Sequence, residues 1–93
     1  MIKSFKHKGL KELFEKGKTN KLPQERLDKI RKLLFIIHNA HLLEDVNTPG
    51  SRLHKLKAPP YAGWHSIDVT GNYRIVFQFT NGSAYDVDFA DTH

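Results

Sequence analysis

The sequence predicts an α+β fold: two N-terminal helices packed on one face of a small antiparallel sheet. Three observations predict it. Apolar residues recur at helical spacing in the first forty positions, an alternating pattern fills the last third, and an Asn81-Gly82 pair joins two of the alternating runs. Helices grouped before strands favour a sheet with helices on one side over a parallel βαβ arrangement.

The opening "MIKSF" reads as a short strand. In "KGLKELFEKGK", Leu10, Leu13 and Phe14 stand at i, i+3 and i+4 with Gly17 as a stop, which predicts a short amphipathic helix with a cationic outer face. Pro23 suits a first helical turn, and Leu27, Ile30, Leu34 and Ile37 carry the period of a second helix that ends near Asn39. "EDVNTPGSR" is a loop on turn chemistry, "RLHKLK" a short strand, and "APPYAG" another loop. Three strands follow: "WHSIDV", "YRIVFQF" and "AYDVDF". Tyr73, Ile75, Phe77 and Phe79 are expected to face the helices, leaving Arg74, Val76 and Gln78 on a free face. In the last strand Tyr85, Val87 and Phe89 alternate with Ala84, Asp86 and Asp88.

The 93 residues are expected to form one domain with a modest core. There is no cysteine, which excludes disulfides and thiolate metal sites. The longest apolar run, "LLFII", is too short for a bilayer, and the N-terminus lacks the apolar stretch of a signal peptide, so a cytoplasmic protein is expected. The net charge of +5 is unevenly spread: 14 basic against 6 acidic residues up to Lys57, then Arg74 alone against four aspartates. A basic first part suits a polyanionic partner, although helix cations are also ordinary solvated surface. His38 and His41 stand at i, i+3 at a helix end; with no further ligand nearby in sequence they suit the helix dipole better than a metal.

The long C-terminal stretch "GWHSIDVTGNYRIVFQFTNGSAYDVDFADTH", with "MIKSFKHKGLKELFEKG" and "RLHKLK", resembles the HigB-type toxins of the RelE/ParE superfamily. The resemblance spans essentially the whole chain, and "YRIVFQF" and "AYDVDFADTH" are its most specific parts. It implies a RelE-like, microbial-RNase-like sheet fold. It implies a cytoplasmic toxin that enters the ribosomal A site, contacts 16S rRNA and cleaves mRNA there without a metal or other cofactor. The implied protein partner is a HigA-type helix-turn-helix antitoxin; no membrane partner is implied. Carried over residue by residue, the catalytic set is His54, Arg74, Asp91 and His93, and Lys57 and Thr92 fall at RNA-binding positions. Two positions depart from the family pattern. Thr92 stands where the family commonly has tyrosine and cannot stack on a base, and His65 replaces an aromatic residue. His65 reads as a packing or surface histidine.

These residue types suit metal-independent RNA cleavage. The 2′-hydroxyl needs a base, the leaving 5′-oxygen an acid, and the phosphoryl oxygens a cation. Histidine titrates near neutrality, and the arginine fork matches phosphoryl oxygens. In an extended chain Asp91 and His93 project to one side, where the carboxylate can fix the imidazole. Which histidine is acid and which base is open at this level. Each residue also has a plainer reading: Arg74 as a surface cation paired to Asp86 or Asp88, His54 as a strand filler, "ADTH" as a solvated tail. Two other functions compete: a ParE-type gyrase inhibitor, which needs no histidine pair, and a non-catalytic RNA- or antitoxin-binding module, which Thr92 keeps open.

Overall fold

A computed structural model describes residues 1–91; Thr92 and His93 lie outside the described residues. Helix α1 spans Lys8–Lys16 and helix α2 Leu27–Asn39, preceded by a 3-10 turn over Gln24–Arg26. A second 3-10 turn, Leu43–Val46, leads to four strands: β1 His54–Lys55, β2 His65–Asp68, β3 Tyr73–Thr80 and β4 Ser83–Asp91. The strands lie in the order β1-β2-β3-β4, all antiparallel.

The helical periods place the core as expected. Leu10 and Leu13 of α1 and Ile30, Leu33, Leu34 and Ile37 of α2 are buried against Ile67, Ile75, Phe77, Ala84 and Val87 of the sheet. Burying each such aliphatic side chain contributes about 1.5–3 kcal/mol, so this layer contact is the main source of stability. Phe14 lies at the rim of this layer, against Phe5 and His38 at ring-centroid distances of 5.6 and 5.0 Å. Gly17 ends α1 in the left-handed conformation, at φ 71°. Asn81 and Gly82 both have positive φ and connect paired Thr80 and Ser83, which is the two-residue hairpin their sequence predicts.

Three expectations change. "RLHKLK" contributes only the two residues of β1, because its leucines do not alternate. The N-terminal segment forms isolated parallel bridges, Ile2 with Ala84 and Phe5 with Val87, rather than a strand. Its backbone covers the outer edge of β4, and the Ile2 N–H donates to His38 Nδ1 at 3.1 Å. That bond gives His38 a structural role. The third change is in β4. Ala84 and Val87 both face the core although they are three residues apart. The ladder with β3 shifts between Val76 and Gln78, and Asp86 takes a positive φ of 53°. This bulge moves Tyr85 to the side away from the core, where it is exposed, and leaves Val87 and Phe89 inside.

His7, which carries no sequence signal, caps α1: its Nδ1 accepts the Leu10 N–H at 3.1 Å. Burial pushes its pKa below the ordinary value; the Asp88 charge opposes this and Lys21 adds to it. The folded protein thus holds this proton less tightly than the unfolded chain. The stabilisation is complete above the unfolded pKa of about 6.5 and is lost as pH falls through the folded value. His7→Asn keeps a capping acceptor that does not titrate. Thermal unfolding followed from about pH 8 down to about pH 5 should therefore show a flatter decline for the variant than for the parent. His65, also lowered by burial, keeps a residual slope. An identical pH dependence in both proteins would remove His7 from the account.

Candidate active site

The sheet face turned away from the helices is built from two cross-strand rows. One row pairs His54 with Ser66, Ser66 with Val76 and Val76 with Asp88. The next pairs Asp68 with Arg74 and Arg74 with Ala90. Residues directly opposite in antiparallel strands project to the same side, so His54, Asp68, Arg74 and Asp88 share one face. His54 and Arg74 stand two strands and one row apart, about 12 Å between backbones.

His54 is exposed at the β1 edge, and its Nδ1 lies 2.7 Å from the Arg52 carbonyl oxygen. A carbonyl only accepts, so Nδ1 carries the hydrogen and a neutral ring leaves Nε2 as a free acceptor. The carbonyl is aimed by an unusual backbone: Arg52 has φ 53°. Its Nε lies 3.6 Å from Asp68 Oδ2, and the Asp68 N–H donates to the Ser51 carbonyl at 2.7 Å. Such a conformation costs of order 1 kcal/mol and persists where surrounding contacts hold it.

Arg74 is half-buried, and among the described residues it has no ion pair. The plainer pairing with Asp86 or Asp88 does not form. Asp86 accepts from Gln78 Nε2 at 2.8 Å and from Ser4 Oγ at 3.4 Å. Asp88 accepts from the Tyr61 hydroxyl at 2.5 Å and from the Phe89 N–H at 2.9 Å. An arginine held in a strand without a carboxylate presents its fork to an outside anion.

This face is not free, contrary to expectation. Val76 and Ser66 are buried although they point away from the helices. The loop from Leu56 to Trp64 lies over them, closed by Leu56 N–H to the Trp64 carbonyl at 2.8 Å and fixed by the Tyr61–Asp88 bond. The Tyr61 and Trp64 rings are 5.0 Å apart, and Lys6 Nζ lies over both at 5.4 and 5.6 Å. Burial, the bond to Asp88 and the Asp88 charge together push the Tyr61 hydroxyl up to about 12. Lys57 is exposed on the first part of this loop. No sequence signal marks Arg52, Tyr61 or Lys6 as neighbours of the candidate site residues.

Asp91 ends β4 in register with Tyr73, whose ring stacks on Phe89 at 5.2 Å on the helix side. The pairing assigns Asp91 to that side of the sheet end, across the strand from the Arg74 face. Thr92 and His93, the remaining residues expected at the site, lie outside the described residues. His65 packs against Phe77 at 5.9 Å, in line with a packing role. Among the described residues no cluster of His, Asp or Glu is placed to hold a metal ion, and no helix is long and apolar enough to cross a membrane.

The profile of a family described as the RelE-like toxin of type II toxin–antitoxin system HigB matches residues 3–93. Endoribonuclease HigB of Proteus vulgaris is 47% identical over 93 residues, covering all of both chains. Toxin HigB-1 of Vibrio cholerae serotype O1 is 32% identical over 95 residues, covering all of this chain and 98% of that one. Among solved structures, a histidine-to-glutamine mutant of YafQ from E. coli superimposes with a TM-score of 0.59 at 12% identity, over 98% of this chain and 91% of that one. YafQ from strain BL21(DE3) gives 0.55 at 15% identity over the same shares. At those identities the likeness is one of fold.

Arg74→Lys keeps the charge and loses the bidentate fork. It is expected to lower single-turnover RNA cleavage about 10-fold or more, corresponding to roughly 1.4 kcal/mol or more of transition-state stabilisation. An unchanged rate would make Arg74 an ordinary surface cation.

Proposed function

Because the chain belongs to the RelE-like HigB toxins of type II toxin–antitoxin systems, we propose that it is a ribosome-dependent endoribonuclease that cleaves mRNA in the A site and so inhibits translation. The observation that carries the reading is the half-buried Arg74, unpaired among the described residues, on the same face as His54 with its free Nε2. In the reaction His54 Nε2 takes the proton of the 2′-hydroxyl as that oxygen attacks the adjacent phosphorus. The P–O5′ bond breaks, leaving a 2′,3′-cyclic phosphate and a 5′-hydroxyl. His93 gives the proton to the leaving 5′-oxygen, and Asp91, whose register sets it on the Tyr73 side of the sheet end rather than on the Arg74 face, orients that ring from the end of β4. Arg74 and Lys57 take the charge on the phosphoryl oxygens, and Thr92 falls at an RNA-binding position of the family. Each proton transfer contributes roughly 10²–10⁴-fold. No cofactor is used.

The chain works as a single domain in the cytoplasm, where its substrate is. Its basic first part meets 16S rRNA through sequence-blind phosphate contacts. A HigA-type helix-turn-helix antitoxin holds it inactive.

Thr92 offers no ring for base stacking, so free RNA is poorly positioned and the ribosome must supply that order. Primer extension on one defined mRNA, naked and on translating ribosomes, tests the reading. Strong site-specific breaks are expected on ribosomes and negligible cleavage of naked mRNA. Comparable rates on both would overturn ribosome dependence. Intact mRNA with inhibited supercoiling would select a gyrase inhibitor instead.

A further inference from the structure

The Leu56–Trp64 loop is exposed at Lys57, Ala58, Pro59, Pro60, Ala62 and Gly63; only Leu56, Tyr61 and Trp64 are half-buried. A connection with so little apolar anchorage normally moves on the surface. Here one bond spans 27 residues of sequence to tie it down: the Tyr61 hydroxyl donates to Asp88 at 2.5 Å. Asp88 sits on β4, two strands from the loop's own β2, so the tether crosses the face over Ser66 and Val76. Asp88 is 8% exposed and its other oxygen accepts the Phe89 N–H, so the acceptor is itself held. A hydrogen bond to a buried carboxylate is stronger than a neutral one. Trp64 and Lys6 also lie against the Tyr61 ring, at 5.0 and 5.4 Å.

We infer that Tyr61 and Asp88 form a strap that holds the Lys57 loop against the reactive face, making both of them positioning residues for Lys57. The inference rests on the reading of Lys57 as an RNA-binding residue. A lysine on a loose loop must be ordered each time it meets a phosphate, and that ordering is subtracted from binding. With the strap closed, the ordering is already done. Tyr61 and Asp88 touch no reacting atom; they act through the position of one cation.

The test is a double-mutant cycle in single-turnover cleavage on ribosomes, joined to limited trypsin digestion of the free protein. Tyr61→Phe keeps the ring and removes the hydroxyl. It is expected to weaken cleavage at sub-saturating protein roughly 10-fold, with less change at saturation. In a Lys57→Ala background the same substitution should add less than about 2-fold, because the residue it positions is gone. Trypsin should cut after Lys57 faster in Tyr61→Phe than in the parent. Asp88→Asn, which keeps an acceptor oxygen, should retain more activity than Asp88→Ala. Independent, multiplying losses from Tyr61→Phe and Lys57→Ala would overturn the strap, as would unchanged cleavage and digestion in Tyr61→Phe. If Lys57→Ala alone leaves cleavage intact, the role given to Lys57 falls and with it the positioning role. Faster trypsin cutting would then still separate that result from an absent tether.

Discussion

The position of one extra residue in β4 decides which side chains reach the face that carries His54 and Arg74. Ala84 is buried against the helices, and strict alternation from it would send Asp86 and Asp88 inward as well. Two unpaired carboxylates in that layer would cost several kcal/mol each. The bulge at Asp86 avoids this at the expense of a positive φ, of order 1–3 kcal/mol. The cost is reduced locally: Ser4 Oγ accepts the Asp86 N–H at 2.9 Å, and Gln78 donates to its carboxylate. Beyond the bulge Val87 and Phe89 point inward and Asp88 points to the opposite face, where Tyr61 meets it.

From that phase the cross-strand rows follow. Asp88, Val76, Ser66 and His54 line up from one edge of the sheet to the other, with Arg74 beside them. The carboxylates of this region are each engaged: Asp88 by Tyr61, Asp86 by Gln78, Asp68 by Arg52. That occupation leaves Arg74 available to an external anion. Lys6, whose Nζ lies over the Tyr61 and Trp64 rings, adds a cation beside this face, and the net charge of +5 favours approach of a polyanion.

Much of the fold is legible in the sequence because it depends on local periods. The helices follow from Leu10 and Leu13 and from Ile30, Leu34 and Ile37, and the hairpin from Asn81-Gly82. The bulge is not legible, since a one-residue phase change leaves "AYDVDF" looking like a regular strand. The loop over the sheet is equally hidden, because a tyrosine's partner 27 residues away has no local signature. Of the candidate site, Arg74 on the outward face follows from β3 alternation. His54 and Lys57 are reachable only through resemblance. The cap formed by His7 and the left-handed Arg52 behind His54 depend on tertiary contacts that no single segment encodes.

The proposed chemistry turns on His54 being held as a base with Nε2 free. A long-range ¹H–¹⁵N correlation spectrum of the histidine rings, recorded on the neutral protein, reads this directly. The hydrogen is predicted on Nδ1 of His54, with Nε2 showing the shift of an unprotonated nitrogen. Replacing Arg52 by glycine, which accepts the same backbone angle, should leave that tautomer in place. A ring protonated at Nε2 instead would contradict the account, because His54 would then face the substrate as a donor and not as the base.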